Sequence, residues 1–354
     1  MGWRTVVLTG TAAILLGAAA PAAGSETGRL VLDTYVEPAV AALEDGAVQL
    51  RGAVAALCDQ PGDAGLAAAR DAFADALDRW AAVSVLRFGP VSAASRFERL
   101  FFWPDARGIG LKQIQGLLAS PDQAVGQGGV AGKSAALQGF PALEFVLYGT
   151  GSQTLGSGDP QRCSVAAAIA SNIATISADI ARDWAPGSPF ARSFAKPADT
   201  TEPYRTATEV DAEIVKALST TLQFVRAAEI GPVLRDPPDP ASGKRAPLWR
   251  SGLTARLVAG QLDGARRLLA ATKWEQTLPE DSIHVAGSIR FELDSAIRVL
   301  SQVEGPVETS LREGPDRDRF AFALLALDHA NELINDQLSA ALGLSMGFNA
   351  LDGD

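Results

Sequence analysis

The 354-residue chain reads as all-α, built from two helical-bundle-like lobes. Apolar residues recur at three- and four-residue spacings through most of the chain, as one buried face of a helix requires. Runs that alternate apolar and polar residues, the mark of a half-buried strand, are scarce. Apolar residues make up 47% of the chain, enough for a substantial core at this length.

The first predicted helix, 30–57, carries Leu32, Val36, Val40 and Leu43 on one face and stops before Pro61-Gly62. A second, 65–86, sets Phe73, Leu77 and Trp80 four and three residues apart. Shorter helices follow at 92–103 and 110–118, with aromatic corners at Arg87-Phe88-Gly89-Pro90 and Phe101-Phe102-Trp103-Pro104-Asp105. A helix over 133–148 ends at Gly149, and a Gly/Ser loop leads to another at 161–184. The stretch 186–203, rich in Pro, Ser and Thr, is the best boundary, giving lobes at 28–190 and 204–354. Beyond it lie helices 206–228, 251–271, 281–303 and 315–342, with a Pro-rich loop at 232–247. The last helix sets Phe322, Leu325 and Leu333 in an apolar stripe beside His329.

The N-terminus has the form of an export signal, predicted to cover 1–24. Arg4 supplies the basic end, Val6 to Ala20 the apolar stretch, and Ala20-Pro21-Ala22 or Ala22-Ala23-Gly24 the small residues for cleavage. That run is short for a bilayer span, and no membrane span is expected in the mature chain. The formal charge of −10, without a basic patch, excludes nucleic acid as a partner class. Cys58 and Cys163 are the only cysteines. In an oxidising compartment they either pair or stay as two separately buried thiols.

The segment Gly139-Phe140-Pro141-Ala142-Leu143-Glu144-Phe145-Val146-Leu147-Tyr148-Gly149 sets one carboxylate among apolar residues. One helical turn either side of Glu144 stand Phe140, Pro141, Leu147 and Tyr148, none of which neutralises a charge. Such a carboxylate either lines a wet cavity or is buried with a cation, a donor or a metal. Pro141 either kinks a helix running through it or occupies the first turn of a short one. Trp249-Arg250-Ser251-Gly252 is the matching feature of the second half. It stands where a loop enters a helix, so Ser251 can cap, free N–H groups can face an anion, and Arg250 can neutralise Glu144. The alternative is a packed Trp249 with a solvated Arg250.

Several familiar chemistries are absent from the sequence. Gly126-Gln127-Gly128-Gly129-Val130-Ala131-Gly132-Lys133-Ser134 misses the phosphate-loop register, because Gln127 stands where the first glycine is needed. His284 and His329, the only histidines, form no His-Glu-x-x-His pair, and no Gly-x-Ser-x-Gly elbow occurs. His329 reads as a structural histidine and His284 as an exposed one.

At Gly139 to Gly149 the chain resembles the imelysin family (M75 peptidase, iron-regulated protein A-like), whose mark is Gly-x-His-x-x-Glu on a helix. The frame here is Gly139-Phe140-Pro141-Ala142-Leu143-Glu144, with Pro141 at the histidine position. Further blocks carry the resemblance: Trp80 with Leu86-Arg87-Phe88-Gly89-Pro90, Phe102-Trp103-Pro104-Asp105, Gln138, Trp249-Arg250-Ser251-Gly252, and the C-terminal run from Gly343 to Asp354. They are similar to a periplasmic branch of the family with proline in place of the histidine.

The resemblance implies an imelysin-like fold of two helical-bundle lobes with a cleft between them, in a periplasmic protein linked to iron acquisition, with an inter-lobe site centred on Glu144. Gln138, Arg250, Ser251, Trp249 and Arg87 are the candidate binding partners, and Glu144 is the candidate metal ligand. Iron, an iron complex, or a periplasmic or outer-membrane iron-uptake protein is the expected partner. A non-catalytic binding role leads; an M75-type metallopeptidase and a structural interaction module are the alternatives.

Overall fold

The computed structural model describes residues 26–120, 125, 129–234, 242–304, 306–310 and 314–344. The expected export signal at 1–24 and the C-terminal run 345–354 lie outside the described residues, as do 126–128 of the glycine-rich loop.

Helix α1 (Thr27–Val31), a π-turn (Leu32–Val36) and α2 (Glu37–Asp59) run on from one another with helical backbone at both joins. Then come α3 (Asp63–Val83), α4 (Arg96–Leu100), α5 (Ile109–Ala119), α6 (Phe140–Tyr148), α7 (Pro160–Trp184) and α8 (Pro189–Ala195). The second half holds α9 (Ala207–Phe224), which passes into a π-turn (Val225–Ile230), followed by α10 (Thr254–Thr272), α11 (His284–Leu300) and α12 (Val307–Ser310). Helix α13 (Pro315–Glu332) passes through a further π-turn (Leu333–Leu338) into α14 (Ser339–Ala341). No strand occurs among the described residues.

Helix α2 packs along both α3 and α7, while α11 packs between α10 and α13. The seam between the two groups is α3 on α10. It closes because α10 carries glycine there: a Cβ on Gly264 would sit 3.0 Å from the Tyr35 hydroxyl and 3.1 Å from the Ala82 Cα. Tyr35 donates its hydroxyl to the Ala82 carbonyl at 2.7 Å, so that hydroxyl is satisfied within the seam. The buried residues form one continuous core across both halves. Helix α7 is long and apolar enough to cross a membrane, yet it is a core helix, packed on α2 and α6.

Three departures from the sequence expectations have local causes. The predicted helix 92–103 shrinks to α4, because Ala94 and Ser95 take left-handed backbone (φ 51° and 52°) and Pro104 disfavours helix at the residue before it. The stretch 186–203 carries α8, whose Phe190 and Phe194 pack on Trp184 and Tyr204. On α13 the buried stripe is Phe320, Ala323, Leu327 and Ala330, while Phe322 and Leu325 are 47% and 69% exposed. The face turned to the core therefore differs from the one the largest apolar side chains suggest.

Cys58 of α2 and Cys163 of α7 form a disulfide across a sequence separation of 105. A crosslink closing so long a loop restricts the unfolded chain strongly. Replacing both cysteines by alanine is expected to lower unfolding free energy by about 2–5 kcal/mol, read by urea denaturation. The wild type should show the same loss in the presence of reductant.

Candidate functional site

The site is built around α6. Gly139 precedes the helix because the Leu100 carbonyl oxygen lies 2.1 Å from where a Cβ would stand. Pro141 occupies the first turn, where its missing N–H costs no hydrogen bond, so the kinked-helix reading does not hold. Two arginines meet the free carbonyls at the other end. Arg70 of α3 donates Nε and Nη2 to the Leu147 carbonyl (2.9 and 2.8 Å), and Arg162 of α7 donates to Val146 at 2.9 Å. Cations at a helix C-terminus also oppose its negative dipole end. The helix is thus held at both ends while its middle presents Glu144.

Glu144 is 2% exposed. Its Oε1 accepts the Ser251 backbone N–H at 2.9 Å. Ser251 Oγ lies 3.0 Å from the same oxygen and 3.0 Å from the Leu248 carbonyl, so its single proton serves one of the two at a time. Arg250 Nη1 stands 3.8 Å from Oε2. Burial pushes the Glu144 carboxyl above its ordinary range, against the Ser251 N–H bond, the Arg250 charge and the Ser251 hydroxyl, which pull it down. Arg250 lies over the rings of Trp249 (4.3 Å) and Phe145 (5.1 Å), which hold its guanidinium beside the carboxylate. Ser251 does not cap α10, which begins at Thr254; the anion its N–H faces is Glu144 itself.

A cavity of about 60 Å³ opens beside Glu144, room for a few waters. Phe102, Trp103, Phe145, Trp249 and Arg250 wall it, and Asp105 lies at its edge. Asp105 accepts the N–H groups of Ile109 (2.7 Å) and Leu111 (3.2 Å), which fixes the start of α5. Trp103 is anchored by its indole N–H to the Ala228 carbonyl at 2.8 Å.

The structure brings together Glu144, Trp249, Arg250 and Ser251, and leaves two sequence candidates elsewhere. Gln138 is spent on packing. Its amide donates to the carbonyls of Lys133 (2.6 Å) and Ala131 (3.3 Å), and its oxygen accepts from Arg99 at 2.8 Å. Arg87 lies between the rings of Phe97 and Phe224, outside the cavity lining. Neither histidine lines the cavity: His284 is exposed at the start of α11, and His329 is exposed and bonded to Glu292 at 2.9 Å. Among the described residues no group of three His, Cys, Asp or Glu is placed to hold a metal. Arg70 and Arg162 escaped sequence reasoning, because an arginine on a helix bears no mark of the helix end it will reach.

A helical body whose short central helix presents a buried carboxylate to a turn of the other half defines the class. The chain belongs to the Imelysin (peptidase M75) family, whose profile matches residues 31–335. It is 26% identical over 319 residues to Iron-regulated protein A of Synechococcus elongatus, spanning 87% of this chain and 82% of that protein. The crystal structure of an imelysin-like protein from Psychrobacter arcticum 273-4 has the same fold. Its TM-score is 0.74 over 92% of this chain and 97% of that one, at 21% identity.

The clamp on Glu144 makes two measurable demands. Ser251→Ala removes one donor and is expected to cost about 1–2 kcal/mol in denaturant unfolding. A carboxyl whose folded pKa is raised gives stability that is complete below its unfolded pKa and is lost as pH rises through the folded value. The stability of Glu144→Gln relative to wild type should therefore improve as pH rises from 4 to 8, read by parallel urea titrations.

Proposed function

We propose that this chain is an exported, periplasmic imelysin-family protein that binds without catalysis and serves iron acquisition through the cavity beside Glu144. The observation that carries this reading is the placement of Glu144. It is a buried carboxylate, clamped through one oxygen by a turn 107 residues away, at the wall of a cavity rich in aromatic rings. The export pattern at the N-terminus supports the compartment, and the relative named Iron-regulated protein A supports the link to iron.

Pro141 supports binding over peptidase chemistry. In the reading of this chain as a branch with proline at the motif histidine, Glu144 alone remains of the His-x-x-Glu pair, since a proline ring nitrogen within the chain offers no lone pair to a metal. A metal-activated water needs a held metal, normally on three protein ligands. Iron here is cargo, and the carboxylates at the cavity are Glu144 and the helix-capping Asp105. The small volume suits one oxygen-bearing arm of an iron complex, or one side chain of a partner protein, with Trp249 and Arg250 at the rim. Arg250 supplies the charge that a carboxylate-bearing iron complex requires.

Titration calorimetry of the mature protein with ferric citrate, beside Glu144→Gln and Arg250→Ala, tests the proposal. One-to-one binding that weakens at least about tenfold in each variant is expected, equivalent to about 1.4 kcal/mol. Absence of ferric citrate binding in the wild type, or casein cleavage that Glu144→Gln abolishes, would contradict it.

A further inference from the structure

A second buried polar cluster lies between the two halves, apart from Glu144. Arg87, in the loop that follows α3, holds its guanidinium between Phe97 (3.9 Å) and Phe224 (3.7 Å). Glu229 stands on the π-turn that ends α9 and is wholly buried. Gln261 of α10, 2% exposed, donates Nε2 to Glu229 Oε1 at 3.2 Å.

Each member keeps one polar atom sealed from solvent and without a hydrogen-bond partner among the described residues: Arg87 Nη2, Glu229 Oε2 and Gln261 Oε1. Buried polar atoms in folded proteins nearly always find partners. Gln261 bonds Glu229 and the Arg87 charge acts on the same carboxyl, so one cause can serve all three orphans. The atoms left over are one donor nitrogen, Arg87 Nη2, and two acceptor oxygens. A single water gives each of the three atoms a partner, accepting one hydrogen bond and donating two, which is the usual bonding of an internal water.

The cluster is also tied to the cavity. Ala228, the residue before Glu229, offers its carbonyl to the Trp103 indole at 2.8 Å, and Trp103 walls the Glu144 cavity. The peptide that carries Glu229 is thus the peptide whose carbonyl holds Trp103. A π-turn is a local widening of the helix, of a kind that recurs at functional sites.

We propose that Arg87, Glu229 and Gln261 form a proton-sensitive latch between the two halves, closed by one bound water, that positions Trp103 at the cavity wall. The latch does not depend on what the cavity binds. With Glu229 ionised, the water joins its Oε2 to the Arg87 guanidinium. With Glu229 protonated, the carboxyl offers a donor to Gln261 Oε1 and the attraction to Arg87 falls. The change is felt at the peptide that carries the Ala228 carbonyl.

The surroundings place this exchange near neutral pH. Burial pushes Glu229 up to about 7, against the Gln261 hydrogen bond and the Arg87 charge, which lower it. Burial likewise lowers Arg87 to about 10, opposed by Glu229 and Glu98. Several charges on the neighbouring elements are engaged with one another. Arg226, on the same π-turn, pairs with Asp328 of α13. Asp263 and Arg266 of α10 pair with each other at 2.5 Å, and Arg266 reaches Asp294 of α11. His329 of α13 is bonded to Glu292.

The test follows the Trp103 indole N–H by NMR in the full chain labelled with 15N-tryptophan, from pH 5 to 8.5. Trp103→Phe identifies the resonance by its loss. In the wild type the resonance should titrate with a midpoint near pH 7, and in Glu229→Gln it should not move. Gln261→Met keeps the side-chain volume but removes the bond that favours the ionised carboxylate, so the midpoint should rise. That variant carries the test if Glu229→Gln fails to fold. In Glu144→Gln the titration should persist, which separates the latch from the binding site. A resonance that does not titrate in the wild type overturns the proposal, as does a titration that survives Glu229→Gln. So does one that disappears in Glu144→Gln, or a midpoint unmoved by Gln261→Met.

Discussion

A carboxylate cannot be taken out of water for nothing, and the arrangement around Glu144 follows from that constraint. Burial alone favours a neutral carboxyl, so the chain brings donors to it. They come from residues 250 and 251, at the far side of the sequence. The turn that delivers them must be held, and the Thr254 hydroxyl holds it by bonding the Pro247 carbonyl at 2.6 Å. Helix α6 must be held as well, which explains the Leu100 backbone against Gly139 and the two arginines on its last carbonyls. Satisfying one buried charge thereby sets the spacing between the two halves at their centre.

The cavity is a by-product of the same geometry. Trp103, Trp249 and Phe145 are too rigid to collapse onto the carboxylate once Arg250 is stacked between two of them. A small polar space remains with aromatic walls, and aromatic walls combined with a few fixed polar groups are the usual make-up of a ligand site. Under the proposed function, recognition and stability draw on the same side chains.

The all-α class was legible from helical spacing alone, because long amphipathic helices carry that signal over many residues. Glu144 with Trp249, Arg250 and Ser251 was also legible, since an isolated carboxylate on an apolar helix demands donors and that turn offers them. Two kinds of feature were not. Helix irregularities such as the π-turns at Val225–Ile230 and Leu333–Leu338 leave no periodic trace, and they decide where Glu229 and the end of α13 point. Gln138 illustrates the second kind. It stands close to Glu144 in sequence but on the far side of the Gly139 break, where loop carbonyls and Arg99 consume it. Sequence distance across such a break says little about which cavity a side chain reaches.

The central claim is that Glu144 and the 250–251 turn stabilise each other across the two halves. A double-mutant cycle with Glu144→Leu, Ser251→Ala and the pair, measured by urea unfolding at pH 7, tests it most directly. The clamp predicts a coupling free energy of about 1 kcal/mol or more, since without the carboxylate the hydroxyl keeps only its Leu248 carbonyl partner. Additive effects within about 0.3 kcal/mol would contradict it. Glu144 would then be held by its own helix, and the turn would be a bystander.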